Sequence, residues 1–136
     1  MSFTIVTGLW NLGRSDLKDF SRSFEHYLES FENLLKLDFN MCVFIPAELE
    51  NFVTERRSPH NTKIYIKELT DIEKTVPNFD KIQKIRTNKG WLSQASWLEI
   101  SPQAKLKYYN PVVMSKFMFV DESCKDNPFN TDYFFG

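Results

Sequence analysis

Three stretches of this sequence combine residue types that could bind an anionic ligand. The first is Thr7-Gly8-Leu9-Trp10-Asn11-Leu12-Gly13-Arg14, with two glycines and an arginine at the exit of an apolar run. Glycine lets backbone approach a ligand, and a guanidinium meets phosphate through a two-pronged fork. The spacing is neither GxGxxG nor a P-loop, so an ordinary turn with a solvated Arg14 competes with a ligand role. The second is Arg56-Arg57 followed by His60, Asn61 and Thr62; a solvated loop is its simpler explanation. The third is Lys116, on a helical stretch leading into the last apolar run. Helix lysines usually face solvent. Trp91 and Trp97 could stack a base or sugar, but packing in a core or interface is their commoner use.

Other chemistries lack their residues. His26 and His60 have no paired His, Cys or Asp at zinc-ligand spacing. There is no GxSxG elbow and no defensible Cys/His pair. Glu48, Glu50, Glu55 and Glu73 read as solvated faces, and Asp132 as a cap or turn residue. Cys42 and Cys124 form no CxxC unit, and both are expected to be reduced, buried and small. The net charge of −1 supplies no overall footprint for nucleic acid or an anionic membrane. No run approaches the length of a membrane span, and Met1 to Trp10 lacks the basic start and cleavage site of a signal peptide. The expectation is a soluble, cytoplasmic protein with no nucleic-acid partner and no membrane span.

The elements that must position these residues follow from periodicity. The chain has 136 residues, 42% hydrophobic and 26% charged, which suits one globular domain over 1–136. Thirteen Phe, five Tyr and three Trp are too many large rings to leave on a surface. Phe3 to Trp10 predicts a buried first strand. Leu17, Phe20, Phe24, Leu28, Phe31 and Leu35 recur at helical steps, predicting one helix capped by Ser15 or Asp16 and running to about residue 37. Met41 to Ile45 predicts a strand covered on both faces, and Pro46 the start of a short helix through Val53. Thr62 to Leu69 alternates as a third strand. Residues 70–110 predict short helices and loops broken at Pro77. Asn110 as cap and Pro111 as first residue predict a helix burying Val113, Phe117, Val120 and Cys124. Asp132 to Phe135 begins a fourth strand. This alternation predicts an α/β fold with a largely parallel sheet and flanking helices.

Several segments together resemble the WlaTC/HtrL (YibB-like) glycosyltransferase family. They are Thr4 to Thr7 with Asn11 and Gly13-Arg14, the helix end at Phe31, Leu34 and Leu35, and Met41 to Pro46. Arg57 with Asn61-Thr62, Tyr109 to Lys116, and Asn127-Pro128-Phe129 before Thr131 to Phe135 complete the set. The resemblance spans nearly the whole chain at intervals. It implies a GT-A/Rossmann-like transferase that takes a sugar nucleotide for glycan biosynthesis. It further implies that the fourth strand would run on into a Trp-Ile-Asp-like segment whose acid helps hold a divalent cation, Mn or Mg. On that reading the chain is truncated at its fourth strand, the cation's ligands are not in this chain, and the piece by itself is inactive. Thr7, Asn11, Arg14, Arg57 and Lys116 are the residues expected to contact the sugar nucleotide. The alternatives are a small non-catalytic α/β module binding a nucleotide or protein, or a subunit whose unfinished sheet is completed by another chain or by self-association.

Overall fold

A computed structural model describes residues 2–136. Its centre is a four-stranded, wholly parallel sheet in the order β3-β2-β1-β4. The strands are β1 (Phe3–Gly8), β2 (Asn40–Ile45), β3 (Thr62–Ile66) and β4 (Tyr133–Phe135). The helices are α1 (Phe24–Leu35), α2 (Glu50–Thr54), α3 (Leu69–Thr75), α4 (Phe79–Arg86), α5 (Lys89–Leu92), α6 (Pro102–Lys105) and α7 (Tyr109–Asp126). The chain steps outward from β1 to β2 to β3, then returns through α3 to α7 to lay β4 on the other side of β1. Strand order therefore reverses at β1/β4. At such a switch point connections leave in opposite directions and open a crevice beyond the carboxyl ends of the strands.

β2 is central and fully covered: Met41 to Ile45 are completely buried. Alternation along the strand divides them between two cores. Met41, Val43 and Ile45 pack with Phe31 and Leu35 of α1, and with Val53 of α2. Cys42 and Phe44 face the other way, with Val6, Trp10, Ile72 and Phe119. Helices thus cover both faces, as a parallel sheet requires. The second core is a file of rings. Trp10 stacks on Phe119 at 5.5 Å, Phe119 on Phe44 at 4.5 Å and Phe44 on Tyr65 at 4.5 Å. Truncating a ring buried like Phe44 to alanine costs about 3–5 kcal/mol.

Two helices differ from their sequence patterns. The first helix starts at Phe24, not near Leu17, and is capped by Ser23, whose Oγ accepts from the His26 N–H at 3.2 Å. Residues 14–16 form only a 3-10 turn, and Phe20 is left-handed (φ 57°) and 49% exposed. The cause is Arg14. Its Nε donates to the Phe20 carbonyl at 3.0 Å and its own carbonyl accepts from the Arg22 N–H at 3.4 Å, curling the chain into a loop.

In α7 the buried residues are Pro111, Ser115, Phe119 and Ser123, at four-residue intervals; Phe117 and Cys124 are exposed. A stripe of apolar residues lost to one carrying two serines because each hydroxyl is satisfied within the helix. Ser115 Oγ donates to the Pro111 carbonyl at 2.7 Å and Ser123 Oγ to the Phe119 carbonyl at 2.8 Å. Their small size lets the helix sit close to the sheet. Tyr108, not Asn110, precedes the first turn, and the Asn110 amide donates instead to the Gln103 carbonyl at 3.0 Å. Asp132 has a tying role: it exchanges two 3.0 Å hydrogen bonds with Ser2, fastening β4 beside β1.

Candidate functional site

A cleft of about 270 Å³ opens at the carboxyl end of β1, between the loop that follows it, the start of α1 and the first turns of α7. A smaller cleft of about 160 Å³ adjoins it and shares Gly8, Trp10, Val112 and Lys116. The smaller one reaches Thr7 and Gly136, so it lies at the reversal of strand order between β1 and β4.

Local sequence explains why a cleft forms here. Gly8 passes so close to β2 that a Cβ would lie 2.5 Å from the Phe44 carbonyl oxygen and 2.8 Å from the Trp10 ring. Only glycine allows the strand to end in that contact. Trp10 is then pinned by its indole N–H, which donates to the Lys67 carbonyl at 2.7 Å, and by its stacking on Phe119. Asn11 Oδ1 accepts from the Gly13 N–H at 3.1 Å, and Gly13 (φ 84°) takes the left-handed turn that sends the chain past Arg14. The Arg14 Nη1 donates to the Tyr27 hydroxyl at 2.7 Å, joining the loop to α1. Its Nη2 has no partner among the described residues.

The wall is cationic. Arg14, Arg22 and Lys116 line the larger cleft, and no Asp or Glu does. Among the described residues, the side chains of Arg22 and Lys116 make no hydrogen bond and no ion pair. Aromatic surface comes from Phe24, Tyr27 and Tyr109. α7 begins at this end of the molecule, so the positive end of its dipole adds to the field. The combination suits an anion carrying a flat ring.

Of the residues singled out by sequence, Asn11, Arg14 and Lys116 are brought together in the larger cleft, with Thr7 in the adjoining one. Arg57 is not brought there. It lies at the opposite, amino-terminal end of the strands, bonded to residues just before β2 and at the start of β3. Its guanidinium donates to the carbonyls of Leu35, Leu37, Phe39 and Asn61 and to the Thr62 hydroxyl at 2.9 Å. It thereby closes the C-terminal end of α1, whose last carbonyls lack helical partners. Burial pulls its pKa down, and the Asp38 carboxylate pushes the other way. Arg22 was hidden from the sequence pattern because an uninterrupted helix would place it on the solvent face with Glu25 and Glu29. The overlooked signal was Ser23, a good cap just before Phe24.

A divalent cation is a poor fit to these side chains. Among the described residues, no group of three or more His, Cys, Asp or Glu converges to hold a metal ion. Nor, among them, is any helix long and apolar enough to cross a membrane.

Neither the curated proteins nor the solved structures yield a match to this chain. One family does, over residues 1–135, and it is described as "Bacterial protein of unknown function (HtrL_YibB)". With its whole length but one residue matched, the chain belongs to the HtrL_YibB family.

Proposed function

We propose that the cleft at the end of β1 binds the nucleoside diphosphate portion of a sugar nucleotide, as the donor side of a glycosyl transfer in glycan biosynthesis. The observation that carries this reading is the convergence of Arg14, Arg22 and Lys116 on one aromatic-walled cleft without an acid among its lining residues. The two connected clefts reach the lower end of the roughly 300–1,000 Å³ range typical of small-molecule sites. Arg14 offers its free Nη2 to a phosphate oxygen, Lys116 and Arg22 add charge from opposite walls, and Tyr27 or Tyr109 stacks on the base. The Asn11 amide, whose oxygen is held by Gly13, keeps its N–H groups for the ligand. Arg57 has no part in this proposal. The charges used are those of Arg14, Arg22 and Lys116, and the described side chains bring no three metal-binding groups together.

Titration calorimetry with UDP-, GDP- and CMP-sugars tests the proposal. Heat should appear with at least one, and Arg22→Ala or Lys116→Ala should weaken it about tenfold or more, the scale of a charge-assisted hydrogen bond. A folded protein that releases no heat with any of them defeats the reading. Binding without sugar transfer supports the site and restricts the chain to holding the donor.

A further inference from the structure

The net charge of −1 conceals a large internal asymmetry. Residues 74–116, which span α4, α5, α6 and the first turns of α7, carry eight Lys and Arg against two acids, Asp80 and Glu99, a net of +6. The rest of the chain carries nine against sixteen, a net of −7. Among the described residues, Lys107 is the one cation of that segment in an ion pair, with Glu73 at 3.6 Å. Arg86 donates from Nη1 to the Ala104 carbonyl at 3.0 Å, and the side chains of the remaining six make no hydrogen bond or ion pair among the described residues.

The same segment leaves apolar surface uncovered. A groove of about 280 Å³ between α4, α5 and α7 is lined by Ile82, Ile85, Trp91, Val113 and Met114, with Arg86 and Asn110 beside them. Ile85 is 50% exposed, and Phe117, one turn along α7 from Val113, is 83% exposed. Cations border this apolar face. Lys81 precedes Ile85 by one helical turn, Lys84 adjoins it in sequence, and Lys89 follows it by four residues.

We infer that this face docks on an anionic lipid surface. The lysines meet headgroup phosphates while Phe117 and Ile85 enter the boundary of the acyl chains, which is how amphipathic helices lie on membranes. The protein rests on the bilayer and does not cross it through a helix of the described residues. A lipid surface fits better than the other polyanions. A nucleic-acid backbone offers nothing apolar to Phe117, whereas a bilayer receives a protruding ring without needing a shape-matched pocket. Val113 lines both this groove and the cationic cleft, so the docked face lies beside the proposed donor site.

Vesicle co-sedimentation of the full chain decides the matter. Binding is expected to phosphatidylcholine vesicles containing about one third phosphatidylglycerol, and not to phosphatidylcholine alone, and it should weaken as salt rises. The triple variant Lys81→Glu/Lys84→Glu/Lys89→Glu should bind about tenfold more weakly or worse, and Phe117→Ser about threefold or more. Both should leave the heat of sugar-nucleotide binding unchanged, because none of these residues lines the donor cleft. Equal retention on neutral vesicles, or none on anionic ones, overturns the inference. So does tighter binding to duplex DNA or to an acidic polypeptide, with Phe117→Ser without effect on the vesicles. The assay contains no nucleotide, so its failure and failure of the donor site are separate results.

Discussion

The Arg14 guanidinium donates to the Tyr27 hydroxyl at 2.7 Å, and this bond ties the loop after β1 to the first turn of α1. Its Nε donates to the Phe20 carbonyl at 3.0 Å. Arg14 therefore holds the cleft's shape with two of its nitrogens while lining the cleft itself.

Replacing Arg14 should consequently cost both stability and affinity. Arg14→Ala is expected to lose about 1–3 kcal/mol of folding stability, the scale of hydrogen bonds to a charged group. Arg14→Lys keeps the charge but lacks the fork, and should recover little of that loss. Urea unfolding and calorimetry on the same samples separate the two effects. A variant of unchanged stability would mean that the loop is held by Gly13 and Asn11 alone.

Arg57 predicts the opposite pattern. Arg57→Met preserves bulk but strands the carbonyls of Leu35, Leu37 and Phe39, and should destabilise by about 2–4 kcal/mol. Sugar-nucleotide affinity of the folded fraction should stay at the wild-type value. A specific loss of affinity at full stability would return Arg57 to the ligand.

Stability should decline in alkali. Burial pushes the Cys42 thiol above its ordinary value of 9.0, against the bonds to Ser123 and Tyr65. Burial first, and then its hydrogen bond to Asp126, push the Tyr65 phenol far above its ordinary 10.0. Both folded-state pKa values are raised, so above each unfolded value the native state holds more protons than the unfolded one, and stability falls as pH rises. The contribution is whole below pH 9, starts to fall near pH 9 for Cys42 and near pH 10 for Tyr65, and is lost as pH climbs through the raised values. Urea midpoints measured from pH 7 to 11 should be flat at first and then drop. Tyr65→Phe should flatten the portion beyond pH 10. A curve of unchanged shape in that variant would assign the loss to other groups.

The facing of α7 is open to a thiol titration. Cys124 is exposed and Cys42 fully buried, both as free thiols. A disulfide reagent should modify one thiol rapidly in the native protein and two in denaturant. Two slow thiols would restore the apolar stripe that the primary structure suggests.

Strand positions were legible from the residues alone because each carries its own cause. Met41 to Ile45 has no polar residue to present to water, so it must be covered on both faces. Gly8 and Gly13 mark the loop that lines the cleft, and Arg14 and Lys116 both line it although each stands in its own local pattern. Arg57 looked like the same kind of residue. What separates it is the direction of the strands: it lies at their amino ends while the cleft lies at their carboxyl ends, and no local pattern encodes that distance.

Periodicity misled where a hydrogen bond outweighed it. The apolar steps at Leu17 and Phe20 belong to no helix, because Arg14 binds the Phe20 carbonyl and the Arg22 N–H and curls the chain away. Starting the helix at Phe24 and not near Leu17 turned Arg22 from the solvent to the cleft. In α7, Ser115 and Ser123 reached the core because their hydroxyls bond the carbonyls four residues back. That rotation put Phe117 outside, beside the lysines.

By itself, then, the order of amino acids determined the α/β class, the strands and the cationic loop, since these depend on local apolar runs and on glycine. Only the tertiary structure decided that β4 returns beside β1 and that Arg14, Arg22 and Lys116 line one cleft. It also decided that Arg57 caps a helix and that α7 turns its serines inward. The first three of these depend on residues far apart in the chain meeting, as Ser2 meets Asp132 and Arg57 meets Leu35 and Phe39, and the last on which side of α7 the sheet covers.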